Sequence, residues 1–332
     1  MLQATLPGGS STAAEALGGR AGGASTGGAA GVEQPASRAA SAGTQNGRNR
    51  DIPFTVGRHP RRSGRFGSLG SATVAAVTST LDAGVVDVCR AYLALADRYE
   101  PGLVQGLYLQ GSLALGDYRP GVSDIDFVTV TSRPPDPRAL QAVHAALRRT
   151  HGGTDFDGLY VREDDLRQDP DLVPSGAAVH EWQVEAMSRF ERTLVTWHVL
   201  AQGGVAVRGP AAAELCIHTD WPALTAATRE NLAGYWTTWR NRTVLGLTGT
   251  SDWATAWGVL GVARLRHTLA AGRVTSKTEA AAFALETYDR RWHRIVREAL
   301  RIRTGAGEPQ YGNAVRRQVD VIRFLSHVLD AA

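Results

Sequence analysis

The sequence predicts an α+β fold: an N-terminal α/β domain on a mixed sheet, followed by a C-terminal helical bundle. Three observations predict it. Short apolar runs that read as strands cluster before Asp164. An amphipathic helix separates the second and third of them, as in a mixed α/β layer. After about residue 188 apolar residues recur at helical spacing instead. A tail over residues 1–70 is dominated by Gly, Ala, Ser and Thr and cannot bury enough apolar surface to offset its ordering entropy. The expected regions are a disordered tail over 1–70, an α/β domain over 71–170 and a helical domain over 171–332.

Taken in order, "SATVAAVTSTLDAGVVDVCRAYLALADRY" carries apolar residues at helical spacing, and "EPG" ends it. "VQGLYLQGS" reads as a strand, "SDIDFVTVTS" as a second and "RPPDP" as a loop. "PRALQAVHAALRRTHGG" is an amphipathic helix and "DFDGLYVRE" a third strand. Helices are expected at 188–202, 222–246, 253–271, 276–303 and 313–330, with "GGVAVRGP" a short strand or loop among them.

Composition excludes several function classes. No run approaches the ~18 apolar residues of a membrane span, and no basic segment leads into an apolar core as in a secretory signal. The pI of 9.3 belongs to the tail. Residues 1–70 hold eight arginines against Glu15, Glu33 and Asp51, a net of +5, which leaves the rest of the chain at −1. That body has no electrostatic footprint for DNA or RNA. A cytoplasmic monomer is expected, with Cys89 and Cys216 as buried thiols. His144, His180 and His293 read as ordinary helical histidines, and Trp236, Trp239, Trp253 and Trp257 as packing. The arginines of "VREALRIR" read as a solvated face.

The chemistry gathers in "GSLALGDYRPGVSDIDF", residues 111–127. Residues two apart on a strand share a face, so Asp124 and Asp126 project together. Two bare carboxylates that close repel. A divalent cation such as Mg²⁺, bound through one or two carboxylates and substrate phosphates, removes the conflict. Alone, the pair reads equally as a solvated strand edge. Gly111 and Ser112 shift the balance, since a tight turn with a hydroxyl after a strand suits a phosphate. Lys277 is the only lysine in the chain, and a compact point charge suits the same ligand.

On these residues the sequence resembles the polymerase-β-like nucleotidyltransferases. "LYLQGSLALGDYRPGVSDIDFVTVT" is similar to the adenylyltransferases that modify streptomycin and spectinomycin. The resemblance implies transfer of AMP from ATP to a hydroxyl of an aminoglycoside or aminocyclitol, with Mg²⁺. It implies phosphate binding by Gly111, Ser112 and Ser123, and metal binding by Asp124, Asp126 and a third carboxylate. That third falls at Asp157, where the relatives carry a glutamate proposed as base; Asp155, on the same strand face, competes for the role. "HEWQVEA" places Trp182 where relatives have a drug-contacting tryptophan, and "VAVRGPAAAEL" looks like another of their segments. "SDWATAWGVLGVARLRHTLAAGRVTSK" implies Arg264 and Lys277 at the ATP phosphates and Asp252 at the acceptor. Acids at Glu181, Glu185 or Asp252 would receive a cationic drug. No tyrosine occupies the adenine-stacking position, which leaves Tyr288, Tyr311 or an arginine plane. The alternatives are nucleotidylation of another metabolite or of a protein, or an idle nucleotide-binding module.

Overall fold

The computed structural model describes residues 81–246 and 248–330; the expected tail lies outside them. Helix α1 spans Ala83–Tyr99, its start fixed by Asp82, whose carboxylate accepts the Gly84 amide at 2.9 Å. Strand β1 follows at Val104–Leu109, then a single turn α2 at Gly111–Ala114 and strand β2 at Ile125–Thr131. Helix α3, Pro137–His151, has Pro at its first position and Asp136 as cap, the preferred start for a helix. Strand β3 is Phe156–Val161, and the short α4 is Glu163–Leu166.

Beyond α4 the chain keeps building the sheet. A hairpin of β4 (Gly176–His180) and β5 (Gln183–Ser188) is followed by α5 (Leu194–Gly203) and β6 (Val205–Arg208). The six strands lie in the order β5-β4-β3-β2-β1-β6. Only β2 and β3 pair in parallel, with Asp126 opposite Asp157. The domain boundary expected at residue 170 therefore cuts through the sheet. Pro174 and Gly176 obscured the later strands, and the hairpin turns on Glu181–Trp182 with no Gly or Asn to signal it.

Strand alternation divides the sheet's two faces. Leu107, Leu109, Phe127, Phe156 and Tyr160 pack under α1 and α3. Tyr108, Val128, Val130, Leu159 and Val161 pack on the opposite face with Trp197 of α5. Phe127 is fully buried, and its truncation to Ala would cost about 3–5 kcal/mol. Asp124 and Asp126 have the parity of Val128, so they emerge on the α5 face, where the helical half stands.

The helical half comprises α6 (Trp221–Asn231), a π turn (Leu232–Trp236), α7 (Thr237–Leu245), α8 (Asp252–Ala271), α9 (Lys277–Thr287), α10 (His293–Thr304) and α11 (Ala314–Asp330). The helix expected over 276–303 is thus two helices, broken at Tyr288–Trp292. Helix α8 is the axis on which α9, α10 and α11 pack. Gly258 and Gly261 leave room for Trp239 and Trp236, whose ring atoms lie 2.8 and 2.3 Å from where a Cβ would stand. Val199, Leu224 and Val274 form a small cluster with Ala114 and Leu115 that joins α5 and the α8–α9 turn to the α2 loop. Among the described residues no helix is long and apolar enough to cross a membrane.

Candidate active site

The site begins where β1 ends. Gly111 turns into the left-handed region at φ +58°, and a Cβ there would lie 1.9 Å from Asp126 Oδ2. Only glycine lets this backbone approach the carboxylate so closely. Gln110, 4% exposed, fixes the contact. Its backbone N–H donates to the Asp126 carbonyl at 2.9 Å, and its Oε1 accepts the Gly111 amide at 2.9 Å. The Ser112 hydroxyl is buried without a hydrogen-bond partner, and Ser112 does not itself line the cavity that Gly111 borders. Ser123 serves the loop instead, its hydroxyl accepting the Arg119 amide at 3.1 Å.

Carboxylates crowd the adjoining strand ends. Asp124, just before β2, Asp126 on it, and Asp155 and Asp157 at the start of β3 all line one cavity of about 660 Å³. Burial, then Glu191, Asp124 and Asp157, push Asp126 well above the usual carboxylate range. Burial raises Asp157 to about 7, with Asp155 and Asp124 adding to the shift. Burial and Asp155 also raise Asp124. The Glu181 amide opposes the shift at Asp157 by donating to its Oδ1 at 3.0 Å. That amide is delivered by the β4–β5 turn, where Glu181 and Trp182 both adopt positive φ, +48° and +64°. Two non-glycine residues in that region store strain, a feature that concentrates at functional sites.

Glu191 is a further carboxylate on the cavity, and sequence reasoning did not find it. It sits in an irregular turn at φ +58°. Its Oε2 accepts from Thr196 Oγ1 at 2.7 Å and from Gln110 Nε2 at 3.2 Å. It is therefore held by the same glutamine that positions Asp126.

No group of three or more His, Cys, Asp or Glu side chains that could cage a metal exists among the described residues. Asp124, Asp126 and Asp157, the expected metal set, line the cavity together, and Asp157 Oδ1 accepts the Glu181 amide. The donor set does fit Mg²⁺, which needs one or two carboxylates and completes its shell with water and phosphate oxygens.

Cations face the carboxylates from the helical half. Arg264 of α8, Lys277 at the start of α9 and Arg303 of α10 all line the cavity. Burial first, then Arg264 and Arg303, lower Lys277 to about 8. Burial and Arg303 likewise lower Arg264. Lys277 Nζ stands 5.0 Å from the Trp257 ring, and Trp257 stacks on Trp253 with centroids 5.7 Å apart. These rings and Trp236 form one wall of the cavity, whereas the sequence placed them in packing. Lys277 also starts its helix as expected, behind Ser276 and the Ser276–Glu279 capping box.

Other expected residues lie elsewhere. Trp182 is 9% exposed and belongs to the core cluster of Phe127 and Phe156, so its turn neighbours His180 and Glu181 reach the cavity instead. His180 ends a strand and packs on Phe190 at 4.8 Å. Asp252 pairs with Arg317 at 2.6 Å at the start of α8 and does not itself line the cavity, although its neighbour Trp253 does. Arg317 is fixed in turn by Glu298 and the Thr250 carbonyl. Tyr288 packs against Phe324 and His327, and Tyr311 bonds Asp320 at 2.8 Å, so neither lines the cavity. Cys89 is buried, its thiol pushed up to about 12, but Cys216 is exposed.

Comparisons with known proteins fit this layout. A family model described as "Nucleotidyltransferase domain" matches residues 88–175. Another, "Aminoglycoside adenylyltransferase, C-terminal domain", matches residues 235–329. Among solved structures, the chain is similar to spectinomycin adenyltransferase AAD(9) from Enterococcus faecialis, determined with ATP and spectinomycin. The identity is 14% and the TM-score 0.56, over 74% of this chain and 98% of that one. At this identity the likeness concerns the fold. A search of curated proteins finds no match. The first model covers the strands that carry the carboxylates and the second the helices that carry Arg264, Lys277 and Arg303, so the chain is an aminoglycoside adenylyltransferase-like nucleotidyltransferase, an enzyme.

Proposed function

We propose that the enzyme transfers AMP from ATP to a hydroxyl of a small cationic acceptor, an aminoglycoside or aminocyclitol. One observation carries this reading. A single cavity joins the Gly111 backbone pressed on Asp126 to the cations Arg264 and Lys277. That pairing suits a polyphosphate held between a carboxylate-bound cation and basic side chains.

In the proposed reaction Gly111, which lines the cavity, borders the phosphates from the sheet side. Asp124 and Asp126 would hold Mg²⁺, which when bound neutralises charge on the transferred phosphoryl group. The acceptor oxygen forms a bond to the α-phosphorus as the bond to the β-phosphate oxygen breaks, and pyrophosphate leaves with the electron pair. The acceptor proton goes to Asp157 through Oδ2, since Oδ1 is held by the Glu181 amide. A pKa of about 7 suits a general base near neutral pH. Arg264 and Lys277 counter the charge on the departing pyrophosphate.

The acceptor class is supported by charge. Asp155, Asp171 and Glu181 add acid to the cavity on the sheet side, a lining that favours ammonium groups. Arg189, on the same side, lies 3.6 Å from Asp171.

The test is incubation of the purified chain with ATP, Mg²⁺ and a panel of aminoglycosides and aminocyclitols, scored by mass gain of AMP. Transfer to at least one drug is expected, and its loss in an Asp126→Asn variant that melts normally. Undiminished transfer by that variant would remove Asp126 from the mechanism. Failure on every drug would remove the acceptor class.

A further inference from the structure

Asp117 joins the two halves of the site, and no step of the proposed reaction requires it. It follows α2, is 4% exposed, and its backbone N–H donates to the Ser112 carbonyl at 2.8 Å. Its carboxylate reaches across to the helical half. Oδ1 accepts from Thr278 Oγ1 at 2.5 Å, and Oδ2 from the Thr278 amide at 3.2 Å. Oδ2 also accepts from Arg303 Nε at 3.2 Å and Nη2 at 2.8 Å, while the Asp117 carbonyl takes Arg303 Nη2 at 2.9 Å. Arg119 Nε stands 3.8 Å from Oδ1.

Such a buried pair is weak evidence for net stability, because desolvation offsets much of the attraction. Its placement is more informative. One end is bonded to the loop that carries Ser112. The other end grips Thr278, the residue after Lys277, and Arg303, itself on the cavity wall. Arg303 and Arg264 each disfavour the charge on Lys277, so the cations would splay apart without a fixed anion among them. Asp117 supplies that anion from the sheet side, just after the Gly111–Ser112 turn.

We propose that Asp117 is a positioning residue for ATP, which sets Lys277 and Arg303 in register with the Gly111–Ser112 loop. The proposal rests on the reading that the cavity binds ATP. It assigns Asp117 to the nucleotide and not to the acceptor.

The experiment measures binding of a non-hydrolysable ATP analogue with Mg²⁺ by calorimetry, and KM for ATP and for the acceptor, in the full chain. Asp117→Asn keeps the shape and removes the charge. Thr278→Val removes one hydrogen bond and leaves every charge in place. The expected result for Asp117→Asn is a 10-fold to 100-fold weaker analogue affinity, about the worth of a charged hydrogen bond. KM for ATP should rise in parallel, and KM for the acceptor should stay within about twofold. Thr278→Val should weaken the analogue roughly 3-fold to 10-fold. Should Asp117→Asn fail to give a cooperative melt, Thr278→Val decides alone. Unchanged analogue affinity, or an equal rise in both KM values, would overturn the proposal. An unaltered chain that binds no analogue overturns the ATP reading, and this proposal with it.

Discussion

Replacement of Gly111 by Ala should disable the enzyme while barely loosening it, and the structure gives both sizes. The backbone at φ +58° costs an alanine about 1–2 kcal/mol. For a domain of this size that lowers Tm by roughly 2–4 °C per kcal/mol. The new Cβ would stand 1.9 Å from Asp126 Oδ2 and 2.8 Å from its Cγ. The carboxylate must retreat by about 1 Å, and a misplacement of that size costs on the order of 10²-fold in rate, near 3 kcal/mol of barrier. Gly116 provides the control. Its φ is +64°, yet a Cβ there meets nothing within 4 Å. Gly116→Ala should lose only the backbone share of those degrees and keep its rate. The assay pairs AMP transfer, read as kcat/KM, with melting by circular dichroism. Equal kcat/KM in the two alanine variants would refute the claim that Gly111 exists to admit Asp126.

Two further predictions rest on displaced proton affinities. His144, buried against Tyr160 with a 2.7 Å hydrogen bond, is pushed by burial from 6.5 to about 3. The unfolded chain therefore binds a proton that the native state refuses between those values. Stability should fall as pH drops from about 6.5, by up to roughly 1.4 kcal/mol per pH unit from this group. Urea midpoints across that window should show a shallower slope in His144→Phe; an unchanged slope would count against the assignment. Lys277 is the only lysine and is lowered to about 8, so an amine-selective acylating reagent near pH 8 should find a single side-chain target. ATP with Mg²⁺ at ten times its Kd should slow that labelling roughly tenfold. Labelling at the same rate with and without ATP would separate Lys277 from the nucleotide.

Much of the site was legible because its chemistry dictates spacing. Aspartates two apart on a strand share a face whatever surrounds them, and the glycine-serine turn precedes them on the neighbouring strand. Partners that depend on tertiary approach were harder to see. Arg303 hid in a helix rich in arginine, although Val296, Ala299 and Arg303 fall at the i, i+3, i+7 spacing of the buried stripe. That position on an apolar face was the available signal. Glu191 had none, since its place depends on its own left-handed backbone in an irregular turn. Trp182 misled for the same reason. Its spacing found the right turn, but the backbone twist of β4–β5 sends the indole into the core and presents Glu181 to Asp157. The later strands escaped notice because short strands that borrow their burial from neighbours show little pattern of their own.

The electrostatics give these pieces a common logic. On the sheet wall Asp126 resists ionisation, and on the helical wall Lys277 resists protonation. Each wall concentrates like charge against its own stability, and each departs from its ordinary pKa toward neutrality. Direct pairing across the cavity would relieve both, yet among the described residues Lys277 shows no ion pair, and its neighbour is the Trp257 ring. Arg303 is the cation that is paired, and its partner Asp117 follows the Gly111–Ser112 turn and does not line the cavity. Lys277 and the Asp124–Asp126 pair only partly offset one another, so each wall keeps its displaced proton affinity. A ligand that carries dense negative charge toward the helices and a divalent cation toward the strands satisfies both at once. A magnesium nucleotide has that polarity, whereas a simple anion would satisfy one wall and aggravate the other.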